Sequence, residues 1–293
     1  MIIDMRVRPP YKSWLDMSLF TNKEWTCAVA RQMGFEPSPS YLHSSLPELL
    51  EELKRAGIDR AVIPGNCIAK PECAGVLKGL PAEKGQTLEM VPNEEIAELV
   101  RLYPDTFVGV GAVDPMEENV LDETERVIKE LGVRGIAIGP GQGMIAMYPD
   151  DKRLTPIYDL CDQLNTPVFV KLSHQVGPDS SYGNPLYLGH VASDFPNLKI
   201  VVVHGAWPCV REVVALAHRY RNIYIQPDFY TIFPGSIDYV DAANTILQDR
   251  FIYASGYPVY PVEEMLQRFV HMPFHPKVFP KVLYENAAEL LRI

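Results

Sequence analysis

Two arginines, a lysine and a histidine stand where short apolar segments of this sequence end. Arg6 and Arg8 lie in the opening run Ile-Ile-Asp-Met-Arg-Val-Arg-Pro, Lys171 ends the run Pro-Val-Phe-Val-Lys, and His204 follows Lys199–Val203. Side chains alternate across a strand, so Arg6 and Arg8 project from the same face. A guanidinium group donates only and binds carboxylates in a bidentate manner. The spacing therefore predicts a positively charged site for a small anionic substrate.

His204 and Lys171 are the candidate catalytic residues of this group. Imidazole titrates near neutral pH, so His204 is a candidate general acid or base; the alternative is a core histidine bonded to its neighbours. Lys171 either binds the substrate anion as an ammonium group or, with a lowered pKa, forms a Schiff base with a keto acid or an aldehyde. Asp228 follows a strand and is the third catalytic candidate, either orienting His204, pairing with an arginine or capping a helix.

The arginines have a structural alternative, which is to pair with internal acids such as Asp4, Asp114 or Asp228. The candidate substrate contacts besides Arg6 and Arg8 are Asn66, His174, Tyr257 and Tyr260. For the two tyrosines, packing in the wall of the site is the alternative. The glycine-rich segment 139–143 predicts a tight turn and does not match a nucleotide-binding loop.

Apolar segments that alternate with amphipathic helical patterns predict the fold. The strand candidates are Ile2–Val7, Arg60–Pro64, Phe107–Val113, Gly135–Ile138, Val168–Leu172, Lys199–Val203, Ile223–Gln226 and Phe251–Ala254. The helix candidates are Leu46–Arg55, Asn93–Leu102, Val120–Leu131, Thr155–Leu164, Pro185–Asp194, Val210–His218, Ile237–Leu247 and Pro261–Phe269. Eight alternating units predict an α/β fold in which a (β/α)8 TIM barrel closes; an open doubly wound sheet is the alternative.

Two connections are longer than ordinary loops of a barrel, and both leave from strand ends where barrel active sites lie. Residues 9–45 are rich in aromatic side chains, and residues 65–92 contain Cys67, Cys73, Lys78 and Lys84. We expect both to be lid or interface insertions in a single domain of residues 1–293. The aromatic content of the first leads us to expect a homo-oligomer, dimer or higher.

Composition excludes several classes of partner. The chain has 293 residues and a formal charge of −10. An acidic protein is a poor partner for nucleic acid or an anionic membrane, and no segment is apolar enough to span a bilayer. The five cysteines are an odd number without close spacing, which is typical of reduced thiols. With no basic and apolar leader pattern at the N-terminus, we expect a cytoplasmic protein.

Four segments carry a resemblance to a known family. They are Met1–Pro9, Phe195–Gly205 with its His-Gly ending, Ile252–Pro258 and Tyr284–Leu291. In this order the sequence resembles the amidohydrolase-2 family, which includes aminocarboxymuconate-semialdehyde decarboxylase, resorcylate-type decarboxylases, hydratases and lactonases. The resemblance implies a TIM barrel and a small carboxylated cyclic or aromatic substrate.

The same resemblance shows where the chain departs from the family. The metal-binding His-x-His of the first strand is Arg6-Val-Arg8, and an aspartate of the eighth is Gly256. A histidine of the fifth strand aligns with Lys171, with the nearby His174 as the alternative. Of the family's metal-ligand positions, only His204 keeps a side chain that binds metals, and a catalytic zinc needs about three protein ligands. We therefore expect no metal and no other cofactor. A shifted metal site of His174, His204, Asp228 and Cys67 is the alternative.

Two functions follow from these residues. The first is a metal-independent hydrolase or non-oxidative decarboxylase, in which Arg6 and Arg8 bind the carboxylate or a developing oxyanion, Lys171 assists, and His204 moves the proton. The second is a barrel without catalytic activity that binds an anionic metabolite or stabilises an active paralogue.

Overall fold

The computed structural model describes residues 1–68 and 89–293, and its centre is a parallel sheet. The strands are β1 (Ile3–Asp4), β2 (Arg60–Pro64), β3 (Cys67–Ile68), β4 (Glu89–Met90), β5 (Phe107–Ala112), β6 (Ile136–Ile138), β7 (Val168–Lys171), β8 (Ile200–Val203) and β9 (Ile223–Gln226). Seven of them pair in the order β1-β2-β5-β6-β7-β8-β9, each pair parallel. The first seven predicted strands are thus present, with ends shifted by a few residues.

The segment after β9 closes this sheet into a barrel. Phe251 forms a single parallel bridge with Ile225, and Tyr257 forms one with Val7. The amide of Met5 also donates to the Tyr253 carbonyl at 3.2 Å. The expected strand Phe251–Ala254 is therefore a row of isolated bridges and not a regular strand, but it lies in the expected place. The TIM barrel is confirmed.

The first strand is shorter than predicted because the Asp4 side chain accepts backbone amides. Asp4 Oδ1 accepts the backbone N–H of Arg6 at 3.0 Å and that of Ser255 at 2.9 Å. A buried carboxylate thus takes two amide donors that a regular ladder would have paired with carbonyls. Regular pairing ends at Asp4, while Arg6 and Arg8 remain at the barrel mouth.

Twelve helices surround the described part of the barrel. They are α1 (Ser18–Thr21), α2 (Lys23–Gln32), α3 (Pro39–Leu42), α4 (Leu46–Ala56), α5 (Asn93–Leu102), α6 (Val120–Lys129), α7 (Thr155–Gln163), α8 (Leu188–Asp194), α9 (Val210–Arg219), α10 (Ile237–Asn244), α11 (Val262–Val270) and α12 (Asn286–Leu291). In α4 the Ser45 side chain accepts the Glu48 amide, and Gly57 ends the helix in the left-handed conformation. The helical spacing of the sequence placed α4 to α11 to within a few residues, whereas α1, α2 and α3 were not among the helix candidates and α12 lies in the segment Tyr284–Leu291 that carries the resemblance.

Alternation along the strands separates two layers of core. Phe169, Val201 and Val203 pack inside the barrel, while Val170 and Val202 pack outward against the helices. Every residue of β7 and β8 is buried, which is typical of a parallel sheet covered on both faces. Lys171 ends an inward-facing row, so its side chain reaches the interior.

The connection after β1 is folded and fixed to the barrel. A 3₁₀ helix at Lys12–Asp16 precedes α1, α2 and α3, and Trp14 is buried. The Arg268 guanidinium donates to the Met33 and Gly34 carbonyls at 2.8 and 2.9 Å and lies 3.8 Å from the Phe35 ring centroid. These contacts hold the insertion against α11.

The second long connection is described only at its ends, where β3 and β4 pair antiparallel. Cys73, Lys78 and Lys84 lie outside the described residues, so the expectation that residues 65–92 form a lid or an interface stays a prediction. Along the stretches that the structure covers, none of the helices has the length and apolar character needed to cross a membrane.

Candidate active site

A cavity of about 130 Å³ opens at the C-terminal end of the barrel strands. One part of its wall is polar and carries Arg6, Arg8, Asn66, Gln142, Lys171, Ser173, Gln175 and His204. The other part is apolar and is formed by Met17, Leu19, Trp25, Val29, Phe229, Phe233 and Val259. The first insertion therefore contributes directly to the wall. Such a cavity suits a small ligand with an anionic end and an apolar body.

His204, Asp228 and Arg6 form a buried cluster at the polar side. His204 Nδ1 lies 2.9 Å from Asp228 Oδ2, and Arg6 Nε lies 3.2 Å from the same oxygen. Arg6 Nη2 lies 3.4 Å from His204 Nε2. The Asp228 side chain is fully buried behind the other two and does not line the cavity. These distances place Nδ1 of the imidazole against the carboxylate and Nε2 against the guanidinium group.

The backbone at both ends of this pair is in the left-handed region. His204 has φ 67° and Asp228 has φ 54°. Non-glycine residues seldom adopt this conformation, and it is found preferentially at functional sites. His204 comes directly after β8, and Asp228 comes two residues after the end of β9. The left-handed conformation therefore turns the chain sharply just past each strand. Asp228 therefore contacts both His204 and an arginine, so its side chain lies where two of the roles considered from sequence would place it.

Burial and neighbouring charge determine the protonation of the pair. Burial, aided by the Arg6 guanidinium, lowers the pKa of His204 to about 4 despite the opposing Asp228 carboxylate. Burial also favours a raised pKa for Asp228, but Arg6, His204 and Gln226 outweigh it and hold this pKa below the usual value. At neutral pH the site therefore contains a neutral imidazole beside an ionised carboxylate.

Gln226 fixes the carboxylate from the opposite side. Its Nε2 donates to Asp228 Oδ1 at 2.6 Å, and the side chain is completely buried. Because Oδ1 is held in this way, Oδ2 is directed toward His204 and Arg6. Gln226 also borders a small internal void beneath the cavity, together with Arg6 and Lys171.

Lys171 and Asn66 meet on the other side of the cavity. The lysine ammonium group donates to Asn66 Oδ1. Arg8 is 7% exposed and lines the same cavity. With Arg6, three basic side chains surround the mouth, and the Asp228 carboxylate contacts Arg6.

Two predicted contacts lie outside the cavity. Tyr257 is fully buried, and its hydroxyl is 2.9 Å from Ser40 Oγ in a network with Glu52. His174 is exposed and packs edge-on against Trp207 at 4.8 Å between ring centroids. The structure therefore does not bring these two side chains to the other predicted site residues.

Several cavity residues were not identified from the sequence. Ser173 follows Lys171 by two positions, so the strand period was a usable signal for it. Gln142 comes from the glycine-rich turn, which forms a 3₁₀ helix at Pro140–Gln142. The aromatic content of residues 9–45 was a signal for the insertion as a whole but did not identify Met17, Leu19, Trp25 or Val29 individually. Gln175 had no local signal.

Comparison with known proteins adds the family. A family model described as amidohydrolase matches residues 68–293, well over half of the sequence. The chain belongs to the amidohydrolase family. A solved structure from Bordetella bronchiseptica, described as an uncharacterized TIM-barrel protein, superimposes with a TM-score of 0.89 at 33% identity, covering 99% of this chain and 98% of that one.

Two curated relatives carry activities in their names. A 2-amino-3-carboxymuconate-6-semialdehyde decarboxylase from Dictyostelium discoideum is 29% identical over 177 residues, which cover 53% of this chain and 46% of that protein. A 2-keto-4-carboxy-3-hexenedioate hydratase from Sphingobium is 29% identical over 132 residues, which cover 39% of each. The chain therefore matches less than half of the length of each relative.

The metal site implied by the family does not fit the residues present. Gly256 occupies the eighth-strand position with φ 79°, and a Cβ there would lie 2.4 Å from the Phe229 ring. The side chain of an aspartate at this position would collide with the aromatic ring. The other family ligand positions are occupied by Arg6, Arg8 and Lys171, whose cationic groups cannot ligate a metal. Across residues 1–68 and 89–293, no three His, Cys, Asp and Glu side chains come together as a possible metal site. The side chain of Cys67, part of the shifted site considered from sequence, lies outside the described portion.

Proposed function

We propose that this protein is a hydrolase for a small cyclic or aromatic carboxylate that contains an ester or lactone bond. The observation that carries the proposal is a neutral His204, held by buried Asp228, at the wall of a cavity with three cationic side chains. Fixed cations bind the substrate carboxylate, and the imidazole base transfers the proton. The family relationship supports an enzyme.

The three cationic side chains have two roles, which are to bind the substrate carboxylate and to stabilise the oxyanion formed in the reaction. Arg8 and Lys171 line the cavity from opposite strands and bind the substrate carboxylate. Arg6 lies beside His204, where its guanidinium stabilises the oxyanion that forms at the ester carbonyl. The apolar wall, with Trp25 and Phe229, packs against the ring of the substrate.

Proton transfer in this proposal uses His204 alone. Water attacks the ester carbonyl carbon while His204 Nε2 takes a proton from the water. The acyl–oxygen bond then breaks, and the imidazolium returns the proton to the departing oxygen. The products are a carboxylic acid and an alcohol, with no change in oxidation state. Asp228 stabilises the imidazolium and keeps its ring in one orientation.

We further propose that the reaction needs no metal ion. The support is the donor set described above, in which guanidinium and ammonium groups stand where the family has ligands. The measurement is elemental analysis of the purified protein, followed by activity after dialysis against a chelator. Stoichiometric divalent metal, or activity lost to the chelator and restored by a divalent ion, would overturn this part of the proposal.

Non-oxidative decarboxylation is the second candidate, favoured by the relative named as a decarboxylase. In that reaction the bond from the ring carbon to the carboxylate breaks, carbon dioxide leaves, and the ring carbon takes up a proton. His204 would have to carry that proton, so the bound carboxylate would need to raise its pKa above the value of about 4 in the free site. The low value in the free site makes hydrolysis the first choice.

A product assay separates these reactions. Purified protein is incubated with carboxylated lactones, aryl esters and hydroxybenzoates, and the release of acid and of carbon dioxide is measured separately. Acid release that disappears in H204N supports hydrolysis, while carbon dioxide release supports the second candidate. Ligand-induced thermal stabilisation with no product from any compound would favour the non-catalytic binder. The cytoplasmic location, the homo-oligomer and the lid role of residues 9–45 stay predictions.

A further inference from the structure

Several polar side chains of the cavity wall have no part in the proposed reaction. Two of them are Gln142 and Tyr260, which are 7% and 0% exposed. Within the described residues, neither Gln142 Oε1 nor the Tyr260 hydroxyl has a hydrogen-bond partner. Burying such groups without a partner is unfavourable, and in native proteins each one calls for an explanation. Their common place in the cavity wall points to a ligand as the partner.

Backbone and ring contacts hold the two residues in place. Gln142 ends the 3₁₀ helix at Pro140–Gln142, and its backbone N–H donates to the Gly139 carbonyl at 2.8 Å. The Tyr260 ring packs 4.7 Å from Phe35 and 5.1 Å from Phe229, measured between ring centroids. Neither side chain is a mobile surface group that could turn to solvent.

Their positions around the barrel are opposite. Gln142 follows β6, and Tyr260 follows the closing segment that bridges β9 and β1. Four steps separate these two positions in either direction around the strand order. The basic side chains come from another opposite pair, since Arg6 and Arg8 follow β1 and Lys171 ends β7. The cavity therefore offers polar contacts on two sides in addition to its anion site.

We propose that Gln142 and Tyr260 form a second polar subsite, divided between opposite sides of the cavity, which selects substrates with a ring hydroxyl or ring oxygen besides the carboxylate. This inference rests on the proposed function. A hydroxyl group both donates and accepts, so a ring hydroxyl that reaches one side satisfies the Gln142 amide in either orientation, and one that reaches the other side satisfies the Tyr260 hydroxyl. Burial raises the pKa of Tyr260, so its hydroxyl keeps its proton and remains a donor at neutral pH.

Sites that hydrogen-bond a substrate hydroxyl reject the analogue without it, because the protein group is then left without a partner. The ligands for the test are benzoate and its 2-, 3- and 4-hydroxy derivatives, with cyclohexanecarboxylate and its hydroxy derivatives as saturated counterparts. Calorimetry gives their dissociation constants for the wild type and for Q142M, Y260F and R8Q. Y158F and Q163M are the matched controls, since Tyr158 donates to the Pro149 carbonyl and Gln163 is bonded to Asp159 on an exposed helix.

We expect at least one hydroxylated acid to bind about tenfold or more tightly than its parent. That gain should vanish in Q142M or Y260F and persist in both controls. Equal binding of parent and hydroxylated acids by the wild type, or a gain that survives in both variants, would overturn the subsite and leave ordered water as the partner of these groups. Because the first comparison changes only the ligand, it stands even if a variant fails to fold.

A stability measurement separates the subsite from a structural role. Within the described residues neither Gln142 Oε1 nor the Tyr260 hydroxyl takes part in a hydrogen bond, so the melting temperatures of Q142M and Y260F without ligand should match the wild type, whereas Y158F should melt lower. Substantial destabilisation by both cavity variants would indicate a structural role instead. Failure of all the carboxylates to bind, or binding unchanged in R8Q, would refute the proposed function itself, which is a different result from the loss of hydroxyl preference alone.

Discussion

His204 Nδ1 lies 2.9 Å from Asp228 Oδ2, and both residues are in the left-handed region of the backbone map. Each of these conformations costs about 1 kcal/mol or more for a residue with a side chain. The two residues end neighbouring strands, β8 and β9, so the fold brings two unfavourable turns side by side. A histidine that served only to fill the core would not need this arrangement, which supports its proposed role in proton transfer.

Replacing His204 with asparagine should abolish turnover and preserve the fold. The asparagine amide is still able to contact Asp228, but it has no basic nitrogen for the proton. We expect a fall in kcat of about 10²- to 10⁴-fold, the usual contribution of a general base. The measurements are steady-state kinetics and the circular dichroism spectrum.

The chain provides a matched control for H204N. His190 Nδ1 lies 2.6 Å from Asp150 Oδ2 in an exposed pair of the same type. H190N therefore removes a histidine–aspartate contact far from the cavity and should leave kcat unchanged. Full activity in H204N would contradict the assignment of the base.

Asp228→Asn should show what the carboxylate contributes to activity while the imidazole of His204 is still present. Without the carboxylate, the imidazolium formed in the reaction loses its stabilising partner, and Arg6 is buried without a countercharge. We expect kcat to fall by about 10²-fold or more and the free energy of unfolding to drop by about 3–5 kcal/mol. Kinetics and urea unfolding give the two values, and D150N in the surface pair is the control. An unchanged kcat in a folded D228N would rule out the pair as catalytic machinery.

Stability should depend on pH through two buried groups with opposite signs. The pKa of His204 is lowered to about 4 from 6.5, so between these values the unfolded chain binds more protons, and acidification destabilises the fold by about 3 kcal/mol in total. Burial raises the pKa of Asp4 from 3.8 to about 7, so in that window the folded chain binds more protons, and rising pH destabilises it by about 4 kcal/mol.

Single variants uncover each contribution. In H204N, unfolding free energy should fall more steeply than in the wild type as pH rises from 4 to 7, because only the Asp4 contribution remains. In D4N it should instead increase over the same range through the His204 contribution. Urea unfolding at each pH is the measurement. Identical pH profiles for both variants and the wild type would show that neither group is shifted.

Arg8→Gln should weaken substrate binding more than it weakens the fold. Losing one charge-assisted contact to a carboxylate is expected to raise the dissociation constant about 10- to 100-fold. Arg211, which is exposed and paired with Asp238, is the control through R211Q. Calorimetry with the ligands used above provides the comparison. Equal affinities for R8Q and R211Q would mean that Arg8 does not contact the anion.

Lys171 should act as an ammonium group and not as a nucleophile. Its Nζ donates to Asn66 Oδ1, which suits a protonated amine that holds an anion. Treatment with a keto acid and sodium borohydride, followed by peptide mass spectrometry, should give no adduct at this position. A stable adduct on Lys171 would instead establish the Schiff-base interpretation and a different mechanism.

The sequence determined the architecture because periodicity is a local property of the chain. Apolar runs such as Val168–Leu172 and spaced leucines such as those of Leu46–Arg55 identified seven regular strands and most helices to within a few residues. The same period of two placed Arg6 and Arg8 on one face, and their place in the cavity wall agrees with it. The end of β1 escaped prediction, because it depends on Asp4 accepting the amide of Ser255, which lies on the neighbouring closing segment but is distant in sequence.

Only the tertiary structure decided which candidates share a site. His174 and Tyr257 are close in sequence to cavity residues, yet one turns outward onto Trp207 and the other is bonded to Ser40. Asp228 had three possible roles until its distances to His204 and Arg6 were known. A sequence specifies the direction of a side chain along its own strand. Contacts across the barrel depend on how loops from distant segments close over the mouth, and these contacts exist only in the folded chain.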